Sequence, residues 1–181
     1  MKTLLCLILF SFNAMSEVTV IMETSKGTIE VELNEDKAPI TVKNFLSYVD
    51  FHFFDGTLFH RAVKNFVIQG GGVLPDMTEK PTNAPIKNEA TNGLNNLRGT
   101  IGMARDNEID TATAQFFINT VDNTRLDHQP GNPLKFGYAV FGFVTSGMDV
   151  VDAIQNVAVH AVGDYENAPV KQILIYSIRR K

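Results

Sequence analysis

The chain has 181 residues, of which 44% are hydrophobic and 20% charged, and its formal net charge is −4. These values are ordinary for one soluble globular domain with a hydrophobic core of its own. Because the net charge is negative and no basic run occurs, the composition argues against nucleic acid or an anionic membrane surface as the main partner.

The first sixteen residues differ from the rest of the chain. A lysine precedes the apolar run TLLCLILFSF, and the small-residue pattern Ala14-Met15-Ser16 follows it. This order predicts a secretory signal peptide over residues 1–16, since the run is too short for a membrane span. We therefore expect export to the periplasm and a mature domain over residues 17–181. The alternative is a cytoplasmic chain whose translation starts at Met15.

Cys6 is the single cysteine of the sequence, and it lies inside this apolar run. The mature chain would therefore have no thiol, no disulfide and no cysteine-ligated metal.

Two strands joined by the turn SKG are predicted over residues 17–33, because GTIEVEL alternates between apolar and polar residues. An amphipathic helix follows, with Pro39 in its first turn and an end near the Asp55-Gly56 turn. Its apolar residues recur at helical spacing, at Val42, Phe45, Leu46 and Val49.

The remaining elements are mostly short strands. A second helix is predicted over 147–156 with Ser146 as its N-cap. The final segment VKQILIYSIRR is apolar on both faces, which predicts a strand buried between a barrel interior and a covering helix. The other β-like runs are 57–61, 65–69, 99–104, 115–119 and 138–144.

About eight short strands with two helices predict a mainly β fold, a closed eight-stranded antiparallel barrel capped by two α-helices. The long stretch 73–96 is rich in Pro, Asn, Thr, Lys and Glu. Such a loop either covers the barrel or borders a groove, and the sequence leaves both alternatives open.

Common catalytic patterns are missing from the sequence. No serine lies in a Gly-x-Ser-x-Gly turn, and the glycines at 70–72 are not followed by the Lys-Ser/Thr of a phosphate loop. The histidines lack paired ligand spacing, so no metal and no cofactor are expected, and His60 is interpreted as a packed core histidine. The four histidines are His52, His60, His128 and His160.

Two segments combine aromatic residues with neutral amides. FHRAVKNFVIQGGG contains Arg61, Phe66 and Gln69, and a second segment over 102–119 contains Gln115 and Phe117. Taken alone, Arg61 is interpreted as a salt-bridged strand residue and Phe117 as core packing. Spacing does not decide between that interpretation and a polar cluster inside an apolar groove.

The motifs FHRAVKNFVIQGGG, RGTIGMARDNEIDTATAQFFIN and GYAVFGFV, in this order, resemble the cyclophilin family of peptidyl-prolyl cis-trans isomerases. The resemblance extends over about residues 18 to 178, and PIKNEATNGLNNLRGT and FGYAVFGFVTSGMDVVDAI are similar to bacterial, periplasmic-type members. It implies an eight-stranded antiparallel barrel with a helix at each end and an isomerase that needs no cofactor.

The resemblance also implies the site residues. The family's catalytic arginine corresponds to Arg61, with Gln69 and Phe66 assigned to catalysis beside it. The other implied positions are the aromatic Phe117, the aliphatic Val67 and Leu126, the amide Gln115, the backbone stretch Ala104, Arg105 and Asp106, and Tyr138.

Three departures from the family pattern stand out. Arg125 lies where many members have the tryptophan of the cyclosporin site, so weak cyclosporin binding is expected. Arg105-Asp106 replaces smaller neutral residues, and Val67 replaces a larger methionine. None of these changes involves Arg61, so isomerase activity is still expected.

The resemblance thus implies an enzyme that accelerates rotation about Xaa-Pro bonds and assists the folding of secreted proteins. Its partners would be proline-containing segments of unfolded or folded proteins, and it would act as a monomer without stable membrane association. A non-catalytic proline-peptide binding module or chaperone is the alternative, and it could dispense with Arg61. A purely structural barrel would not explain the polar trio of Arg61, Gln69 and Gln115.

Overall fold

The computed structural model describes residues 18–181, so the predicted signal peptide over residues 1–16 lies outside the described residues. The elements, in chain order, are β1 Val18–Thr24, β2 Gly27–Leu33, α1 Pro39–Asp50, β3 Thr57–Leu58, β4 Arg61–Val63, β5 Val67–Gly70, β6 Thr100–Met103, β7 Phe116–Asn119, β8 Val140–Ser146, α2 Met148–Gln155, β9 Val159–Val162, β10 Tyr165–Pro169 and β11 Leu174–Arg180.

Nine strands of the described chain form one antiparallel sheet in the order β3-β11-β1-β2-β8-β6-β7-β5-β4. The two outermost strands, β3 and β4, are consecutive in the chain and only Phe59 and His60 separate them. The sheet therefore has to curl until its two edges meet. The predicted mainly β, antiparallel fold with two helices is confirmed. The structure differs in detail from the predicted closed barrel of eight strands. Its sheet has nine strands, and the two edge strands are connected through Phe59 and His60 instead of pairing with each other.

Alternating residues of the strands fill the interior of the curled sheet, and α1 covers one end. The four apolar residues predicted for the inner face of α1 are all buried. Phe45 is central, since its ring lies 5.2 Å from those of Phe54 and Phe141 and 5.7 Å from that of Phe116. The helix ends at Asp50, earlier than expected, because His52 adopts a positive φ of 54° in the turn that follows.

Helix α2 begins differently from the prediction. Ser146 is not its N-cap, because this residue still pairs with Glu30 in the β2–β8 ladder. Gly147 takes the N-cap position with φ of 91°, and a Cβ there would lie 2.4 Å from the carbonyl oxygen of Thr28. Only glycine fits this close approach without strain.

Two further features were not predicted. Strands β9 and β10 form a separate hairpin whose loop is the dipeptide Gly163-Asp164. The prediction that the final strand is buried on both faces is wrong, because in β11 the side chains of Ile175 and Ile178 are buried but that of Tyr176 is 56% exposed. Neither helix within residues 18–181 has the length and apolar character that a membrane crossing requires.

Candidate functional site

One lateral row of residues crosses four neighbouring strands on the outer face of the sheet. In the register of β4, β5, β7 and β6, Arg61 lies opposite Gln69, Gln69 opposite Phe117, and Phe117 opposite Gly102. Successive strand residues point to opposite faces of a sheet. The side chains of this row are therefore directed away from the core, and those of the residues next to them in each strand point into the core. The inward neighbours are Ala62, Ile68, Ile101, Phe116 and Ile118.

Phe117 forms the apolar floor of this row. A Cβ added to Gly102 would lie 2.3 Å from the tip of the Phe117 ring, so the ring covers the glycine closely. The ring of Tyr138 meets it edge to face at 5.7 Å, and the guanidinium of Arg105 lies 4.7 Å from the centre of the Tyr138 ring. The position of the Phe117 ring is therefore set by contacts beneath it and beside it.

Beside the Phe117 floor, an apolar wall is formed by residues around the start of β5 and by Leu126. Phe66 is half-buried, and the guanidinium carbons of Arg61 and Arg125 lie 5.8 Å and 4.2 Å from its ring centre. Val67 is only 2% exposed but does not belong to the main core cluster. Leu126 is half-buried at the end of a short 3₁₀ helix, where its carbonyl accepts a hydrogen bond from the Tyr138 N–H.

Arg61 keeps its positive charge, although no acidic residue in the described part of the chain pairs with it. Burial lowers the pKa of Arg61, while Tyr138 and Glu166 act in the opposite direction. A guanidinium remains protonated in proteins despite such shifts. No carboxylate of the described residues lies within ion-pair distance of Arg61, and its Nη1 donates instead to Oε1 of Gln69 at 3.3 Å. The interpretation of Arg61 as a salt-bridged strand residue therefore does not hold.

The two glutamines form a hydrogen-bonded chain that continues beyond the predicted site. Nε2 of Gln69 donates to Oε1 of Gln115 at 2.9 Å, and Nε2 of Gln115 donates to Oε1 of Glu79 at 3.3 Å. The hydroxyl of Tyr165 donates to the same Glu79 oxygen at 3.1 Å. Burial, with the nearby Glu79 charge, raises the pKa of Tyr165 to about 12, so it remains a donor. Glu79 belongs to the 73–96 stretch, which therefore borders the groove.

The stretch from Ala104 to Asp106 lies beside the glutamines. The Ala104 N–H donates to the Gln115 carbonyl at 2.9 Å, and the Asp106 N–H donates to Oγ1 of Thr111 at 3.0 Å. The Arg105 side chain folds back onto carbonyls of its own loop and of Gly137. This stretch, Thr111 and Thr113 enclose with Gln69, Glu79 and Gln115 a polar pocket of about 150 Å³.

His60 is the buried neighbour of Arg61 and is only 2% exposed, as predicted for a packed core histidine. Its ring meets that of Tyr165 at 5.3 Å. Burial, together with the charge of Arg61, lowers the pKa of His60 to about 4, so its ring is neutral near pH 7. Of these two neighbours, Arg61 and not His60 therefore carries the positive charge near pH 7.

The predicted positions fall into three groups in the structure. Six of them share one outer face, three border the polar pocket beside it, and two lie at its rim. Sequence reasoning missed Glu79 and Tyr165, although the Gly163-Asp164 dipeptide is a hairpin signal that would have located the second. The shared face holds Arg61, Phe66, Val67, Gln69, Gln115 and Phe117; Ala104, Arg105 and Asp106 border the polar pocket; Tyr138 and Leu126 stand at the rim.

This arrangement has a definite chemical capacity. It places the apolar side chains of Phe66, Val67 and Phe117 beside a charged donor that is held by a neutral amide, so it can bind an apolar group and donate a hydrogen bond beside it. Among residues 18–181 no group of three or more His, Cys, Asp or Glu side chains is arranged to hold a metal ion.

Comparison with known proteins gives a consistent result over nearly the whole chain. The family model described as cyclophilin type peptidyl-prolyl cis-trans isomerase/CLD matches residues 19–180. Peptidyl-prolyl cis-trans isomerase A of Dickeya dadantii is 52% identical over 179 residues, which cover 98% of this chain and 93% of that protein. Peptidyl-prolyl cis-trans isomerase B of Escherichia coli is 48% identical over 159 residues, which cover 88% of this chain and 97% of that protein.

Solved structures show the same likeness. A cyclophilin type peptidyl-prolyl cis-trans isomerase of Cryptosporidium parvum superimposes with a TM-score of 0.76 at 26% identity, over 91% of this chain and 98% of that one. The same protein was also crystallised in the presence of the dipeptide Ala-Pro, and that structure gives a TM-score of 0.75.

Proposed function

Because this chain belongs to the cyclophilin-type peptidyl-prolyl cis-trans isomerases, we propose that the outer groove around Arg61 is its active site. The observation that supports this assignment is the half-buried Arg61 guanidinium above Phe66, in register with Gln69 and Phe117 and without a carboxylate partner among residues 18–181. The Cryptosporidium parvum structure with Ala-Pro supports an Ala-Pro peptide as the probe.

The reaction needs no nucleophile, because no covalent bond is made or broken. Resonance gives the amide C–N bond partial double-bond character, and the rotation barrier of a peptide bond is about 18–20 kcal/mol. In the twisted transition state the nitrogen lone pair is no longer delocalised and becomes a good acceptor. Arg61 can donate to this nitrogen, and the bond is stronger in the twisted amide than in the planar one, as catalysis requires.

The apolar walls supply the second contribution. Phe66, Phe117 and Val67 would hold the proline ring while the preceding carbonyl turns, and they would exclude water from the arginine. Shortening a half-time of roughly 100 s to milliseconds requires about 7 kcal/mol. One charged hydrogen bond supplies only about 2–3 kcal/mol, so clamping and desolvation have to provide the rest.

The substrate main chain would bind beside the polar pocket. The N–H groups of Ala104 and Asp106 already bond within the protein. The intervening Arg105 N–H donates no hydrogen bond to another described residue, and we therefore assign it as the donor to a substrate carbonyl.

Arg61→Ala tests the active-site assignment. We expect the turnover of an Ala-Pro peptide, measured by exchange NMR, to fall by at least about two decades, since a hydrogen bond to a charged group is lost and the nitrogen is left without a donor. Arg61→Lys should also be poor, because an ammonium lacks the planar fork. Arg180→Ala is the matched control, since Arg180 pairs with Asp50 away from the groove. Near-wild-type exchange in Arg61→Ala would overturn the assignment.

The non-catalytic binding module predicts another outcome for the same variants. In that case peptide affinity would depend on Phe66 and Phe117 and would not change in Arg61→Ala. Neither the wild type nor this variant would accelerate the exchange. Arg61 has no carboxylate partner among the described residues, and such a free charge favours catalysis over simple binding.

The cellular role that we propose rests on the first sixteen residues. Their signal-peptide pattern supports a periplasmic isomerase of bacterial type that assists the folding of exported proteins. We further propose that it acts as a monomer. N-terminal sequencing of the exported protein should begin near Glu17, whereas an intact cytoplasmic start at Met15 would contradict the export.

Cyclosporin should bind weakly, because Arg125 occupies the position implied for the family's tryptophan and its guanidinium covers Phe66. A calorimetric titration should detect only weak binding, and a nanomolar dissociation constant would contradict this expectation.

A further inference from the structure

Glu79 ends a hydrogen-bond chain that starts at the reactive guanidinium. The chain runs from Arg61 through Gln69 and Gln115 to the Glu79 carboxylate, with distances of 3.3, 2.9 and 3.3 Å. Each glutamine accepts with its oxygen from the arginine side and donates with its nitrogen toward the carboxylate. The two amides are thus aligned head to tail between a group that only donates and a group that only accepts.

The direction of this chain matters for Arg61. An amide side chain can rotate by half a turn and exchange its oxygen with its NH₂ group at little steric cost. A reversed Gln69 would present NH₂ to the guanidinium, and two donors cannot bond to each other. An acceptor oxygen at the far end disfavours this reversal, because it bonds the Gln115 nitrogen and thereby directs the Gln115 oxygen toward Gln69.

Glu79 is held in place by the structure around it, although it lies in a long loop and is solvent-exposed. Residue 79 forms a bridge with Val73, and Asp76 closes the intervening turn by accepting from the N–H and hydroxyl of Thr78. The Tyr165 hydroxyl donates to the same carboxylate oxygen that receives Gln115. The turn and Tyr165 therefore hold this oxygen at the end of the hydrogen-bond chain.

We infer that Glu79, supported by Tyr165, is a positioning residue that orients Gln69 and Gln115 and so holds the Arg61 guanidinium in one hydrogen-bonded orientation. It acts without neutralising the arginine, since two amides lie between the carboxylate and the cation. This inference rests on the proposed role of Arg61 and adds to it a residue on the far side of the groove.

Two neutral substitutions separate hydrogen bonding from charge. Glu79→Gln retains an acceptor oxygen, whereas Glu79→Leu removes it, and both lose the same charge. We expect Glu79→Leu to lower kcat for an Ala-Pro peptide by about three- to tenfold with KM changed less than about twofold, and Glu79→Gln to stay within about twofold of wild type. Tyr165→Phe, which keeps the ring beside His60, should cause about a twofold loss.

Glu166 provides the matched control. It is an exposed carboxylate on β10 whose charge acts on Arg61, but it has no place in the glutamine chain. Glu166→Gln and Glu166→Leu should therefore have equal kcat values. In the Gln115→Leu background, where the hydrogen-bond chain to Glu79 is already interrupted, Glu79→Leu should cause no additional loss of kcat.

The side-chain NMR signals of Arg61 and Gln69 provide a second measurement, and a change in stability alone would not alter these signals. The Nε–Hε signal of Arg61 and the NH₂ signals of Gln69 should shift or broaden in Glu79→Leu and remain near wild type in Glu79→Gln. Equal kcat losses in both Glu79 variants, an effect on KM alone, or unchanged resonances in Glu79→Leu would overturn the inference. Arg61→Ala in the same assays tests the proposed active site separately, because its failure to lose activity would reject the site whatever the Glu79 variants do.

Discussion

Gly102 determines where the Phe117 ring lies, and its replacement by alanine should displace that ring. The two residues are directly opposite in the β6–β7 ladder. A Cβ at position 102 would lie 2.3 Å from the ring tip and 2.8 to 2.9 Å from the adjacent ring carbons, where ordinary contact begins at 3.4 Å. The ring therefore has to move by about 1 Å, a displacement that costs catalytic sites up to about 100-fold in rate.

The stability cost of this change should be moderate. Phe117 lies on the outer face of the sheet. Its ring is a movable side chain, so the overpacking should cost about 1–3 kcal/mol in the free energy of unfolding. The ring of Tyr138 at 5.7 Å limits its movement on one side. We expect kcat/KM for an Ala-Pro peptide to fall by about one to two decades in Gly102→Ala, measured by exchange NMR on the folded protein.

Gly142→Ala is the matched comparison, because Gly142 opposes Ile101 on the neighbouring strand pair β6–β8. A Cβ there would lie 2.4 Å from the backbone carbonyl of Glu32, which cannot swing aside as a ring does. This variant should lose more stability than Gly102→Ala but keep its activity per folded molecule. If Gly142→Ala does not fold, the double variant Gly102→Ala/Phe117→Leu decides, since a smaller residue at 117 should restore stability but not activity.

One result would refute this reasoning directly. If Gly102→Ala has the kcat/KM and the melting temperature of the wild type, the Phe117 ring is not positioned by the glycine beneath it. A loss of stability with full activity would show that the ring moves without affecting the reaction.

Two further predictions concern buried polar groups. The pKa of His60 is held at about 4, against an ordinary value of 6.5. Between pH 4 and pH 6.5 the imidazole of residue 60 is therefore protonated in the unfolded chain but neutral in the folded chain. The free energy of unfolding should consequently fall by up to about 3 kcal/mol as the pH drops from 6.5 to 4. His60→Leu should remove this part of the slope in urea unfolding, and an unchanged slope would contradict it. Asn119 is fully buried, donates to Oγ1 of Thr100 at 2.9 Å and accepts from Nδ2 of Asn123 at 2.8 Å. Asn119→Leu should cost about 2–3 kcal/mol, and a loss below about 0.5 kcal/mol would show that the neighbours find other partners.

The helices and most strands were predictable because local periodicity encodes them. Helix α1 shows this clearly, since Val42, Phe45, Leu46 and Val49 recur at helical spacing and are all buried. The N-cap of α2 was not predictable in this way. A serine before a helix is a good capping signal, but the contact that excludes any residue except glycine at 147 comes from Thr28, which is more than a hundred residues away in the sequence.

The candidate site shows the same division between local and distant information. Arg61, Gln69, Gln115 and Phe117 were named from motifs, although only the register of β4, β5 and β7 shows that three of them form one row. Glu79 carries no local signal, because a glutamate in a loop rich in Pro, Asn and Lys looks like any solvated side chain. Its contact with Gln115 spans 36 residues.

The position of β11 between β3 and β1 has a consequence for biosynthesis. Residues 174–180 pair with Thr57 and Leu58 on one side and with residues 20–24 on the other, so both partners are made long before the strand that joins them. The nascent polypeptide should therefore leave the ribosome with its sheet incomplete and two strand edges open. Contacts so distant in sequence slow folding, and open edges invite association with other chains. An isomerase of this architecture should itself mature late and slowly.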